Sequence, residues 1–169
     1  METGDNQKFS AMVVKVVEES QKNPPKNLLS IKNNSDGLLE FQKKMFTRSR
    51  KQCSNEIRKI EKFHPINEDN YLDLQMGSDP EFNNAIEKYV ECFQQNNQEY
   101  LDLETKYQNE AMSLKMSLNS CFVGCYELFG KKNDSEIEKC VKNCIHTSYK
   151  DTDRLTAKYL NLYSKKFKF

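Results

Sequence analysis

The apolar residues of this chain recur mainly at helical spacing. Between Pro80 and Phe129, Phe82, Ile86, Tyr89, Phe93, Asn96, Tyr100, Leu103 and Tyr107 advance in alternating steps of four and three. After a shift at Ala111 the series resumes as Leu114, Leu118, Cys121, Cys125 and Leu128. That period, with one stutter, predicts a single long helix with a coiled-coil-like seam and its cysteines on the buried side. Asp79-Pro80 predicts the start, with Asp79 as cap and the proline in the first turn. At the standard rise the helix would span about 75 Å, too long for one partner helix to cover.

Upstream, Leu38, Phe41, Met45, Cys53, Ile57 and Ile60 recur at helical spacing among basic residues, which predicts a helix from Leu38 to Phe63 ended by His64-Pro65. Residues 5–20 carry Phe9, Met12, Val13, Val16 and Val17, which suit a short amphipathic helix, although the valines leave a strand open. Lys22–Gly37, with Pro24-Pro25 and Asn33-Asn34-Ser35-Asp36-Gly37, reads as linker and turn. The Leu38–Phe63 helix is expected to fold back over the stretch from Pro80 to about Gln98. The segment through Tyr149, Leu155, Tyr159 and Leu162 is expected to cover Leu101 to Cys125. The aromatic stripe is read as packing rather than as a client-binding surface.

A turn is marked after Phe129. Gly130 can take the left-handed conformation that ends a helix, with Lys131 and Lys132 near the negative end of the dipole. Ser135 with Glu138 forms a capping-box pattern, Asp134 adds a favourable negative charge, and Ile137, Cys140, Val141 and Cys144 begin a new apolar stripe.

The same turn separates Cys121-x-x-x-Cys125 from Cys140-x-x-x-Cys144. Residues four apart share a helix face. Folding about the turn therefore opposes Cys125 to Cys140 nearest the bend and Cys121 to Cys144 one helical turn further out. Two nested disulfides are expected, the inner one worth roughly 3 kcal/mol on the chain-entropy model. Four thiolates holding a structural zinc and four reduced core cysteines are the competing readings. Cys53 and Cys92 suit a third bridge and equally a pair of free buried thiols.

The 169 residues are 37% hydrophobic and 30% charged with only five glycines and four prolines, a composition that suits helices. The mean hydropathy of −0.87 implies solvated helix faces or faces covered by partners. The expected fold class is all-α: a disulfide-stapled antiparallel helical hairpin with a very long first helix, plus an additional N-terminal helix. The expected organisation is an N-terminal segment and linker over 1–37, a helical extension over 38–99 and the hairpin over 100–169.

A formal net charge of +1 gives no overall drive toward nucleic acid, and Lys165, Lys166 and Lys168 read as a solvated helix end. No apolar run approaches the length that crosses a bilayer. The start, with Glu2 and Asp5 and no arginine before Gln7, reads as neither a secretory signal nor a presequence. Glycine-rich phosphate loops, nucleophile elbows and metalloprotease signatures are missing from the sequence, and His64 and His146 share no ligand spacing with other side chains. The expectation is a non-enzyme with no cofactor and no metal.

The twin Cys-x-x-x-Cys units, Phe122 after the first cysteine, the Ser135-Glu136 turn, and Cys140-Val141-Lys142-Asn143-Cys144 followed by Tyr149 resemble the small Tim chaperones of the mitochondrial intermembrane space. The resemblance covers roughly residues 100 to 165. It implies first-to-fourth and second-to-third pairing, Cys121 with Cys144 and Cys125 with Cys140. It also implies assembly as a hexameric ring with related subunits, and escort of hydrophobic inner-membrane precursors through the intermembrane space, peripheral to the membrane. The first hundred residues exceed the family's length. They favour an alternative, a non-catalytic accessory subunit of an inner-membrane respiratory or translocase complex with the extension as docking arm.

Overall fold

The computed structural model describes residues 2–169, with side chains from Gly4 onward; Met1 of the expected N-terminal segment lies outside the described residues. The described residues form five helices: α1 (Glu2–Lys22), α2 (Asn27–Gln52), α3 (Ser54–Glu61), α4 (Pro80–Glu127) and α5 (Asp134–Lys166). The chain is all-α, with three disulfides joining its helices. It divides into two compact units, Met1–Ser35 with Tyr107–Asn161 and Asp36–Lys106 with Leu162–Phe169.

In the second unit, α2 and α3 pack on the N-terminal part of α4. Met45, Ile57, Ile60, Ile86, Tyr89, Phe93 and Tyr100 are all buried. Phe63 meets Phe82 with ring centroids 5.4 Å apart, and Asn97 Nδ2 donates to Gln52 Oε1 at 3.0 Å. Asp79 caps α4 by accepting from the backbone N–H groups of Glu81 (2.8 Å) and Phe82 (3.1 Å). The connection before it also contributes to the core. Ile66 and Tyr71 are buried, and Tyr71 lies between Phe46 and Phe93 at 5.4 and 5.8 Å.

Three local expectations are corrected. The stretch read as a turn, Asn33–Gly37, lies inside α2, which begins at Asn27. Within it Asn34 serves a tertiary contact instead of turn chemistry, its Nδ2 donating to Thr156 Oγ1 (3.4 Å), as Ser30 Oγ one turn earlier donates to Asp153 Oδ1 (2.6 Å). The expected Leu38–Phe63 helix is interrupted at Cys53, whose φ of −118° and ψ of 37° leave the helical region. In α4 the backbone also kinks at Asn97 (φ −136°, ψ 30°), where the periodicity predicts no break. The resulting offset buries Asn97 in place of Asn96, which is exposed.

In the first unit, α4 and α5 run antiparallel. Tyr107 and Tyr159 have ring centroids 5.1 Å apart, and Glu110 accepts from Lys158 Nζ (2.8 Å) and the Tyr159 hydroxyl (2.8 Å). The helix reversal uses Gly130 at φ 83°, a left-handed value that side chains disfavour. Lys131 and Lys132 donate their backbone N–H groups to Leu128 O at 3.0 and 3.1 Å.

The capping box at the start of α5 sits two residues earlier than the sequence pattern suggests. Asn133 Oδ1 accepts from the Glu136 N–H at 2.9 Å, and Glu136 Oε2 accepts from the Asn133 N–H at 3.3 Å. Glu138 is instead engaged by Lys15 Nζ of α1 at 3.0 Å.

Candidate functional site

The chemistry of this chain is concentrated where α4 and α5 are stapled. Cys121 bonds Cys144 across a Cα separation of 5.8 Å, and Cys125 bonds Cys140 across 5.7 Å. Both separations lie in the ordinary range for a disulfide. The four-residue spacing within each helix stacks the bridges one helical turn apart, so that Cys125 Sγ lies 3.6 Å from Cys144 Sγ. Cys125 and Cys144 are buried, Cys140 is half-buried and Cys121 is exposed. The expectation that the seam buries all its cysteines is therefore corrected at Cys121. Leu114 and Leu118, the two seam positions before it, are half-buried.

The sulfurs of Cys121, Cys125 and Cys144 all lie within 4.8 Å of one another, a separation that thiolates round one tetrahedral ion would also show. In the disulfide form each sulfur has given up the thiolate lone pair that ligation needs, so the clasp as bonded is a covalent staple. Closing its inner and outer loops, with sequence separations of 15 and 23, corresponds to roughly 3 kcal/mol each on the chain-entropy model when taken singly. The second bridge adds less once the first exists.

A third helix covers the clasp. Val16 of α1 is completely buried in a cluster with Cys125, Val141, Cys144 and Ile145, and Phe9, Val13 and Val17 pack around it. Positions 9, 13, 16 and 17 form one helical stripe, and Ser10, Ala11, Val14 and Lys15 between them are exposed. Phe9 also stands edge-on to Tyr126 (5.2 Å) and Phe129 (6.0 Å) just before the turn. Two ion pairs flank this contact: Lys15 with Glu138 at 3.0 Å and Lys142 with Glu19 at 3.6 Å. The Lys15 hydrogen bond lowers the Glu138 carboxyl below its ordinary value and is matched by a raised Lys15 ammonium. Lys15 is exposed and Glu138 half-buried, so solvent screens the pair and it chiefly selects the register of α1.

The second unit has its own staple. Cys53, at the break between α2 and α3, bonds Cys92 of α4 across a Cα separation of 6.0 Å. The two residues expected either to bond or to remain free are thus brought together. Of the histidines, His64 is exposed in the turn after α3, its Nδ1 2.9 Å from Pro65 O, and His146 is exposed on α5. The role of α1 as cover for the disulfides was not anticipated. Its amphipathic stripe is legible, but nothing in the stripe names the surface it packs on.

No helix among the described residues is long and apolar enough to cross a membrane. No protein-family model, curated protein or solved structure matches the chain.

Proposed function

We propose that this protein is a non-catalytic scaffold subunit of an oxidising compartment, a small-Tim-like hairpin built into a larger assembly at the face of a membrane. The resemblance of the twin Cys-x-x-x-Cys units suggests the mitochondrial intermembrane space, peripheral to the inner membrane. The observation that carries the reading is internal coverage of apolar surface. Ile86, Tyr89, Phe93 and Tyr100 of the aromatic stripe are buried within their own unit, and α1 covers the buried side of the clasp. Surface already filled by the chain's own helices does not receive clients, whereas three staples suit a part that must hold its shape.

The chaperone reading retains one favourable observation. Met112, Met116 and Val123 are 58%, 63% and 57% exposed and share one stripe of α4. Adaptable methionine-rich surface suits varied hydrophobic clients or the neighbouring subunits of a ring.

Native sizing of tagged protein from intact mitochondria, combined with cross-linking during precursor import, separates the two. Co-migration with a large inner-membrane assembly, without cross-links to precursors, is the expected result. A free ring of subunits that cross-links to incoming precursors would replace the scaffold with the chaperone. Recovery outside mitochondria would remove both.

A further inference from the structure

The net charge of the chain conceals a strong local asymmetry. From Phe41 to Asn55 there are five cations and no acid, and from Leu162 to Phe169 three lysines and no acid. The second unit brings these stretches together around a groove of about 570 Å³ lined by Lys43, Lys44, Thr47, Arg48, Lys51, Lys168 and Phe169. Among the described residues no acidic side chain lines it. Lys43 is 3.4 Å from the exposed Glu40, while Lys44, Arg48, Lys51 and Lys168 form no ion pair among the described residues.

The groove is also apolar at its edge. Phe41 and Phe169 have centroids 5.9 Å apart, Lys44 Nζ lies 5.7 and 5.8 Å from the two rings, and Phe169 is 53% exposed. Cations held at one mouth raise the local potential well above what a net charge of +1 suggests. A helix end carrying solvated lysines would not need a second basic helix opposite it or an aromatic ring at its rim.

From this juxtaposition of five cationic side chains with an exposed phenylalanine, we propose that the groove docks the anionic headgroups of a phospholipid surface. A bilayer satisfies both halves of the site: phosphates meet the ammonium and guanidinium groups, and the ring enters the headgroup boundary. Charge complementarity favours a bilayer over a nucleic-acid strand. A strand extends its charge beyond one groove, and the same unit carries Asp36 and Glu40 on α2 and Glu61 at the end of α3. A strand also gains from several stacking rings, whereas Phe169 is the one aromatic lining this groove. The proposal does not depend on whether the disulfide hairpin serves as scaffold or chaperone.

Flotation of the full oxidised chain with phosphatidylcholine vesicles, with and without phosphatidylglycerol, tests it. Wild-type protein should float with the anionic vesicles only and be released by salt. Each neutralisation among Lys44→Gln, Lys51→Gln and Lys168→Gln should weaken capture about fivefold, and the triple variant roughly a hundredfold. Arginine at the same three positions should restore binding. Lys88→Glu with Lys106→Glu, in the same unit but outside the groove, should float as wild type. Circular dichroism and an intact set of disulfides identify variants that remain folded. Capture on pure phosphatidylcholine, equal flotation by the folded triple variant, or release of wild type by equimolar single-stranded oligonucleotide would each overturn the proposal.

Discussion

Cys125 and Cys144 place their sulfurs 3.6 Å apart although each is bonded to another partner. The contact follows from the four-residue spacing of the cysteines on antiparallel helices. It puts a latent nucleophile beside a latent electrophile. A thiol reductant reaches exposed Cys121 first, bonds its sulfur and releases Cys144 as a thiolate beside Cys125. Attack by Cys144 on Cys125 then forms a Cys125–Cys144 bond and releases Cys140 as a thiolate.

Limited reduction therefore has a product that depends on pH. With a phosphine in acid, where thiolates are suppressed, alkylation should mark Cys121 and Cys144. With a limiting dithiol near neutral pH it should mark Cys121 and Cys140. Cleavage after Phe122, Lys132 and Lys142 separates the four cysteines for mass analysis. Opening of Cys125–Cys140 first under both conditions would contradict the order.

The Cys53–Cys92 bridge closes the longest of the three loops, with a sequence separation of 39. Replacing both cysteines by serine should cost about 4 kcal/mol on the chain-entropy model. Urea unfolding of oxidised protein measures the loss. Under full reduction the variant and wild type should nearly coincide, which distinguishes a lost cross-link from lost packing.

Val16→Ala should cost about 2 kcal/mol, because it hollows a fully buried site against Cys125, Val141 and Cys144. Val16→Asp should cost more, since it buries a carboxylate there without a partner. Both should speed reduction of Cys125–Cys140, measured by timed alkylation. An unchanged rate with Val16→Asp would show that α1 does not shield the clasp.

Alkaline stability should fall in a defined direction. Burial is the leading cause that raises the phenols of Tyr71, Tyr89, Tyr100 and Tyr159, the last to about 12. A folded pKa above the unfolded value near 10 keeps its stabilisation below that value and loses it as pH rises beyond. Stability should hold up to about pH 10 and then drop, with several tyrosines ionising only as the chain unfolds. Absorbance titration in the near ultraviolet, with and without denaturant, reads the difference. Identical curves would contradict the burial of these rings.

On the acid side, Glu110 is held below the ordinary carboxylate value first by its hydrogen bond from Lys158 and then by that from Tyr159. Its contribution is present above the unfolded pKa and disappears as pH falls through the lowered folded value. Glu110 is half-buried with its side chain still open to solvent, so Glu110→Gln should cost only a few tenths of a kcal/mol near neutrality. The cost should vanish in acid.

Much of this architecture was legible because its determinants are local. The stripe from Phe82 to Tyr107, the Asp79 cap and Gly130 each state their structure in neighbouring residues. Asn33–Gly37 misleads because turn-prone side chains can instead make tertiary contacts, as Asn34 does with Thr156. Ser135 and Glu138 mislead because Asn133 and Glu136 carry the same capping chemistry two residues earlier, leaving Glu138 to pair with Lys15. The burial of Tyr71 and the docking of α1 depend on distant surfaces. Neither periodicity nor spacing encodes such a partner.

The most direct test of the clasp is disulfide mapping of native protein, alkylated without reduction and with bound metal measured on the same sample. Native protein should show Cys121–Cys144, Cys125–Cys140 and Cys53–Cys92, with no alkylated cysteine and no stoichiometric zinc. Free thiols at 121, 125, 140 and 144, or one zinc ion per chain released when they are alkylated, would contradict it.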